Sequence, residues 1–102
     1  MKFVVVLTTE KDVNLATKLA RNLLKSKLAA CISLNKTHSL FWWNDEIVEC
    51  DEVQLIIKTT QSRIEALKEE IISLHSYDNP EILHWSLSAG KFYSEWIEKI
   101  VG

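Results

Sequence analysis

The stretch HSLFWWNDEIVEC, residues 38–50, decides the fold. Phe41, Trp42 and Trp43 stand side by side and run directly into Asn44-Asp45. Asn and Asp tolerate the left-handed backbone that a tight hairpin turn demands. The spacing therefore predicts a β-hairpin turning at Asn44-Asp45. Neighbouring strand residues point to opposite faces, so three consecutive aromatics cannot share one core. Part of the set must leave the side that packs on the chain's own helices.

The flanking strands extend the hairpin in both directions. KLAACISL (27–34) opens the incoming strand, with Leu28, Ala30, Ile32 and Leu34 on one face and Ala29, Cys31 and Ser33 on the other. EVQLIIKTT (52–60) carries the return, with Val53, Leu55 and Ile57 on one side and Ile56 on the other. Upstream, Phe3 to Thr8 reads as a strand buried on both faces, Phe3, Val5 and Leu7 against Val4 and Val6. Asp12 is a helix N-cap. Ala16, Leu19, Ala20 and Leu23 then follow the spacing of one helical stripe, with Lys18, Arg21 and Lys25 elsewhere on the same helix. Downstream, Ser62-Arg63-Ile64-Glu65 matches a capping box, and Ile64, Leu67, Ile71 and Leu74 make a second stripe. HSYDNPE (75–81) ends that helix, because Asn79 before Pro80 is pushed out of the helical region. ILHWSL (82–87) reads as a fourth strand, and after Gly90 the residues Tyr93, Trp96, Ile97 and Ile100 mark a short amphipathic helix.

The order strand, helix, strand, strand, helix, strand, helix is an α+β, ferredoxin-like βαββαβ sandwich with an added C-terminal helix. Helices cover one face of such a sheet and leave the other bare. The strands nevertheless carry apolar residues on both faces. An apolar patch of this kind marks an interface between copies of the chain. The competing reading is a monomer in which an aromatic caps the end of the sheet.

The bulk numbers bound the rest. The chain has 102 residues, enough for one domain, 1–102. Two glycines and one proline leave room only for regular elements with short connections. Twelve basic against 14 acidic residues, net −2, give no electrostatic support for nucleic acid or an anionic membrane as partner. The apolar run in MKFVVVLTTEKD meets charge by Glu10, too soon for a signal segment or a membrane span. A cytoplasmic location is expected. In the hairpin register Cys50 faces Ser39 and Cys31 faces Lys58, eight strand positions or roughly 26 Å apart at ~3.3 Å per residue. A disulfide needs α-carbons within about 7 Å, so both are expected as free thiols.

KLAACISL, FWWNDEIVE, VQLIIKTT and HSYDNPEIL, in that order, resemble the CutA family of divalent-cation-tolerance proteins. The resemblance runs from Val4 to Ile97. It implies a homotrimer with a PII-like trimer architecture, sheets facing the threefold axis and long hairpins reaching onto neighbouring subunits. Phe41, Trp42 and Trp43 would lie in the trimer interface, and Tyr77 and Lys58 would line an inter-subunit cleft. The sequence departs from the family pattern at Asn44-Asp45-Glu46, Ser76, Asn79 and Trp85-Ser86, and it is one residue short between Gly90 and Tyr93.

The residues with chemical potential are His75, Tyr77, Asp78 and Glu81, all in one connection. An imidazole with carboxylates suits a divalent metal such as copper or zinc, so His75, Asp78 and Glu81 are the candidate ligands. Against this stands the reading that His75 caps its helix and Glu81 makes a salt bridge. Some family members have a Cys where Thr8 stands and a His where Leu74 stands, and both are missing here. His38 and His84 are isolated, and no CxxC or HxxxH spacing occurs. No phosphate loop, nucleophile elbow or metalloprotease motif points to an enzyme. Three readings follow: a trimer of divalent-cation tolerance that binds metal weakly if at all, a PII-like regulatory module that senses a small molecule, and a stable trimeric scaffold.

Overall fold

The computed structural model describes residues 2–102; Met1, the first residue of the apolar run quoted above, lies outside them. The elements are β1 (Lys2–Glu10), α1 (Val13–Lys25), β2 (Cys31–Trp43), β3 (Glu46–Thr59), a short 3-10 turn (Gln61–Arg63), α2 (Ile64–Leu74), β4 (Leu83–Ser88) and α3 (Lys91–Val101). They form one antiparallel four-stranded sheet in the order β2-β3-β1-β4, the ferredoxin-like arrangement expected from the sequence.

The hairpin turns where the sequence placed it. Asn44 and Asp45 have φ of 50° and 62°, the two left-handed residues of a two-residue turn. Trp43 pairs with Glu46, and the ladder runs without a slip to Cys31 opposite Lys58. Ser39 faces Cys50 as expected, and both cysteines are free. β1 pairs with β3 only as far as Glu10 opposite Val53. Beyond that point β2 and β3 continue alone as a two-stranded arm, and the molecule is 45 Å long against 24 and 21 Å.

Two cores lie on the two sides of the sheet. Val4 and Val6 of β1 and Val53, Leu55 and Ile57 of β3 pack on α1 and α2 through Ala16, Leu19, Ala20, Leu23, Ile64, Leu67 and Ile71. Asp12 caps α1 by accepting from the Leu15 N–H at 2.8 Å. On the other side Phe3 and Val5 pack on Ile97 and Val101 of α3, with Ile56 and Ala30 at the margin. That face is therefore not bare: the added helix covers one end of it.

Four local expectations are corrected. The capping box does not form, because a 3-10 turn precedes α2 and no side chain caps it. Ser62 Oγ instead donates to the Gly102 carbonyl at 3.0 Å and Arg63 Nε to the Val101 carbonyl at 2.5 Å, tying the end of α3 to the start of α2. Leu28 and Ala29 both enter the helix-side core, since Lys27, at φ 59°, turns the chain and alternation starts only at Cys31. Leu74 is exposed, and Tyr93 and Trp96 are half-exposed, so the buried stripe of α3 is Ser94, Ile97 and Val101.

Leu67 is fully buried and Ile72, on the same helix, is largely exposed. Leu67→Ala is expected to lower the unfolding free energy by about 2–5 kcal/mol and Ile72→Ala by less than about 1. Denaturant unfolding of both variants measures the difference.

Candidate functional site

The connection 75–82 crosses the end of β1 on its way from α2 to β4, and its position is set by one buried carboxylate. Glu10, the last residue of β1, is almost completely buried. Its oxygens accept from the Lys11 N–H at 2.8 Å, the Ser76 N–H at 3.1 Å and the Ser76 hydroxyl. Burial pushes the carboxyl upward, but the Ser76 hydroxyl and the two backbone N–H groups outweigh it and hold it below its ordinary value. Sequence reasoning missed this residue, because nothing in a strand-terminal Glu signals that it turns inward.

His75 caps α2 through its N–H to the Ile71 carbonyl. Its ring, shielded from solvent, points toward β1. Nε2 donates to the Thr9 carbonyl at 2.5 Å, and Nδ1 accepts from the Tyr77 N–H at 3.0 Å. These bonds fix the neutral tautomer with hydrogen on Nε2. Nδ1 lies 3.5 Å from Glu10, within ion-pair range, but with its lone pair spent on Tyr77 the contact is packing rather than an ion pair. In this conformation neither nitrogen is open to a cation.

The rest of the connection faces outward. Tyr77, Asp78, Asn79 and Glu81 form one wall of an open groove of about 1210 Å³, and the arm forms the other with Phe41, Trp43, Val48 and Cys50. The Tyr77 hydroxyl bridges the walls by donating to Glu52 Oε1 at 2.7 Å. Burial and this carboxylate raise the Tyr77 pKa, so the phenol stays protonated. Burial, followed by Glu52 and Asp51, raises the Cys50 thiol. The structure thus brings Tyr77, Asp78 and Glu81 together with Phe41 and Trp43, while the His75 ring points to β1 and packs 4.9 Å from the Tyr77 ring. Lys58 lies roughly 20 Å from Glu52 along β3 at ~3.3 Å per residue; its ammonium sits 5.4 Å over the Tyr93 ring, and the Tyr93 hydroxyl raises its pKa. Trp42, 71% exposed, lies on the opposite face of the arm from Phe41 and Trp43.

No group of three or more His, Cys, Asp or Glu side chains converges on a point that could hold a metal ion among the described residues. Thr8 is buried against His75, with Oγ1 3.5 Å from Nε2, and offers only a hydroxyl.

A ferredoxin-like sheet with a long aromatic arm and a groove at its root defines a small α+β protein built on one antiparallel four-stranded sheet. Residues 4–100 match the family model described as CutA1 divalent ion tolerance protein, and the chain belongs to that family. It is 37% identical over 102 residues to the divalent-cation tolerance protein CutA of Thermococcus kodakarensis, covering 99% of this chain and 98% of the relative. The CutA1 structure from Pyrococcus horikoshii superposes with a TM-score of 0.94 at 34% identity over 97% of this chain and 98% of that one. The Archaeoglobus fulgidus structure, described as a periplasmic divalent cation tolerance protein CutA, gives 0.94 at 30% identity over the whole of both chains.

Because the folded carboxyl of Glu10 lies below the ordinary value of 4.5, the stability it contributes is full above that value. It is lost as pH falls through the folded value. Glu10→Gln is expected to cost about 1–3 kcal/mol at neutral pH and to flatten the acid limb of the stability profile. Urea unfolding between about pH 3 and 7 of both proteins checks the sign.

Proposed function

We propose that this chain is a homotrimeric divalent-cation-tolerance protein of the cytoplasm, one domain and not an enzyme, that binds metal weakly. The observation that carries the assembly is the uncovered part of the sheet. Leu83, Trp85 and Leu87 of β4 pair with Leu7, Val5 and Phe3 and point to the α3 side. Phe41, Trp43 and Val48 make a second apolar patch on the same face of the arm, beyond the pairs Asn35–Gln54, Thr37–Glu52 and Ser39–Cys50. Leu83, Trp85, Leu87, Phe41 and Trp43 are all exposed. Soluble monomers seldom leave two such apolar patches in water, and a threefold arrangement covers both in every subunit. In such a trimer Lys58 of one subunit and Tyr77 of the next can meet in a shared cleft although they are far apart within one chain.

The donors left for a metal are the exposed carboxylates Asp78 and Glu81. Two carboxylates without an open imidazole or thiolate suit a hard or borderline ion at low affinity, micromolar or looser, no more than about 8 kcal/mol per site. A tight copper centre has no support in this donor set. The PII-like reading loses ground at the turn, where Asn44 and Asp45 close the hairpin directly and leave no long polar loop to signal with. Among the described residues no helix is long and apolar enough to cross a membrane.

Sedimentation at micromolar concentration is expected to give a trimer, and a monomer would overturn the assembly. Burying one aromatic contributes on the order of 1.5–3 kcal/mol. Trp43→Ala should therefore weaken assembly, while Lys68→Ala should not. Calorimetry with copper, zinc and ATP is expected to give weak metal binding, reduced by Glu81→Ala and unchanged by Cys50→Ser; nanomolar copper affinity abolished at either thiol would refute it.

A further inference from the structure

The arm carries a second charged cluster, on the face opposite Phe41 and Trp43. His38 of β2 pairs with Asp51 of β3, and Leu40, two residues on, pairs with Glu49. His38, Asp51 and Glu49 therefore project from one face. The ring bridges both carboxylates: Nδ1 lies 2.8 Å from Asp51 Oδ1, and Nε2 lies 2.8 Å from Glu49 Oε1. A neutral imidazole has one N–H and one lone pair, so it can donate to only one of them. The other carboxylate would then face a lone pair at hydrogen-bond distance. Both contacts hold together only when the ring is an imidazolium. Because the two carboxylates sit on opposite edges of the ring, the three groups do not converge on a metal.

We propose that His38 is a pH-dependent pin at the root of the arm, clasping β2 to Glu49 and Asp51 of β3 as an imidazolium and releasing one of them when it loses its proton. The position gives a small interaction leverage. Past Glu10 opposite Val53 the sheet narrows to two strands, and a two-stranded ribbon is marginal on its own in water. The pin falls at the first stretch of that ribbon, between the sheet proper and the aromatics near the turn. The other charged groups nearby are Lys36, the next side chain on that face of β2, opposite Val53, and Lys11, which lines the groove with Asp51. The imidazole is the member of this cluster suited to change its charge near neutral pH. The Glu49 and Asp51 hydrogen bonds raise its pKa above the ordinary 6.5. With the folded value raised, the clasp is complete below 6.5 and is lost as pH rises through the folded value. Exposure to solvent keeps the effect modest. The pin rests on contacts within one chain, on the face of the arm opposite Phe41 and Trp43.

The test joins two measurements on the full chain. NMR titration of the His38 ring is expected to give a midpoint above 6.5, and the double variant Glu49→Gln, Asp51→Asn is expected to return it toward 6.5. Amide hydrogen exchange, corrected for intrinsic rates, is compared between residues 39–50 and residues 4–6 of β1. The ratio of arm to core protection is expected to fall about two- to fivefold between about pH 6 and about pH 8.5. His38→Gln should hold the ratio at its high-pH level at both values. A wild-type midpoint at or below 6.5, a ratio unchanged between the two pH values, or the same pH response in His38→Gln would each overturn the proposal. Sedimentation of the same samples reads the oligomeric state separately.

Discussion

β3 is fourteen residues long, and only its second half is flanked on both sides. That unequal pairing sets the form of the molecule. From Val53 onward β3 lies between β2 and β1, and its alternate side chains Val53, Leu55 and Ile57 all enter the helix-side core. Before Val53 the same strand has one partner, and neither of its faces is covered by a helix of this chain. The register that satisfies the core also fixes which aromatics point where on the arm, because a slip of one residue would invert every side chain. The turn at Asn44-Asp45 enforces that register from the far end. Core, arm and groove are three consequences of one ladder.

The groove follows from the step between the two halves. Where β1 stops, the chain must cross from α2 to β4, and the connection 75–82 fills the space beside the bare edge of β3. Glu10 anchors this crossing. A buried carboxylate is costly unless donors surround it, and Ser76 supplies two of the three. His75 is held by the same turn, with its ring bonded to the backbone on both sides. The polar groups of highest intrinsic reactivity are thus used to position the connection. The groups left facing the groove are the Tyr77 phenol and the outer carboxylates.

What was legible in the sequence, and what was not, divides along the same line. The stripe Ala16, Leu19, Ala20, Leu23 and the alternation of Val53, Leu55 and Ile57 report burial against the chain's own elements, and periodicity records that directly. Asn44-Asp45 reported its turn because a positive φ restricts the choice of residue. The failures are contacts between elements far apart in sequence. Ser62 reads as a cap until the end of α3 arrives and takes its hydroxyl. His75 reads either as a ligand or as a helix cap, and only the fold brings the Thr9 carbonyl and the Tyr77 N–H to its nitrogens. Glu10 marks only the end of an apolar run until Ser76 encloses it. Trp96 counts as a core residue by spacing, but α3 meets the sheet through Ile97 and Val101, and its aromatic side remains in water.

The two faces of the arm are built for different purposes. One carries Phe41, Trp43 and Val48, on the side of the sheet that also bears Leu83, Trp85 and Leu87. Its energy is realised only against another surface, and it depends little on pH or salt. The other carries His38, Glu49 and Asp51 beside the exposed Leu40, Trp42 and Ile47; the charged interaction is internal to the hairpin, screened by solvent and graded by protonation. A ribbon of two strands has little stability of its own, so the orientation of Phe41 and Trp43 relative to the sheet depends on what stiffens the pairing behind them. The cross-strand charges act on that stiffness from the face opposite Phe41 and Trp43. A local change of protonation at His38 can therefore alter how firmly the aromatics are presented while leaving the chemistry of their contact unchanged.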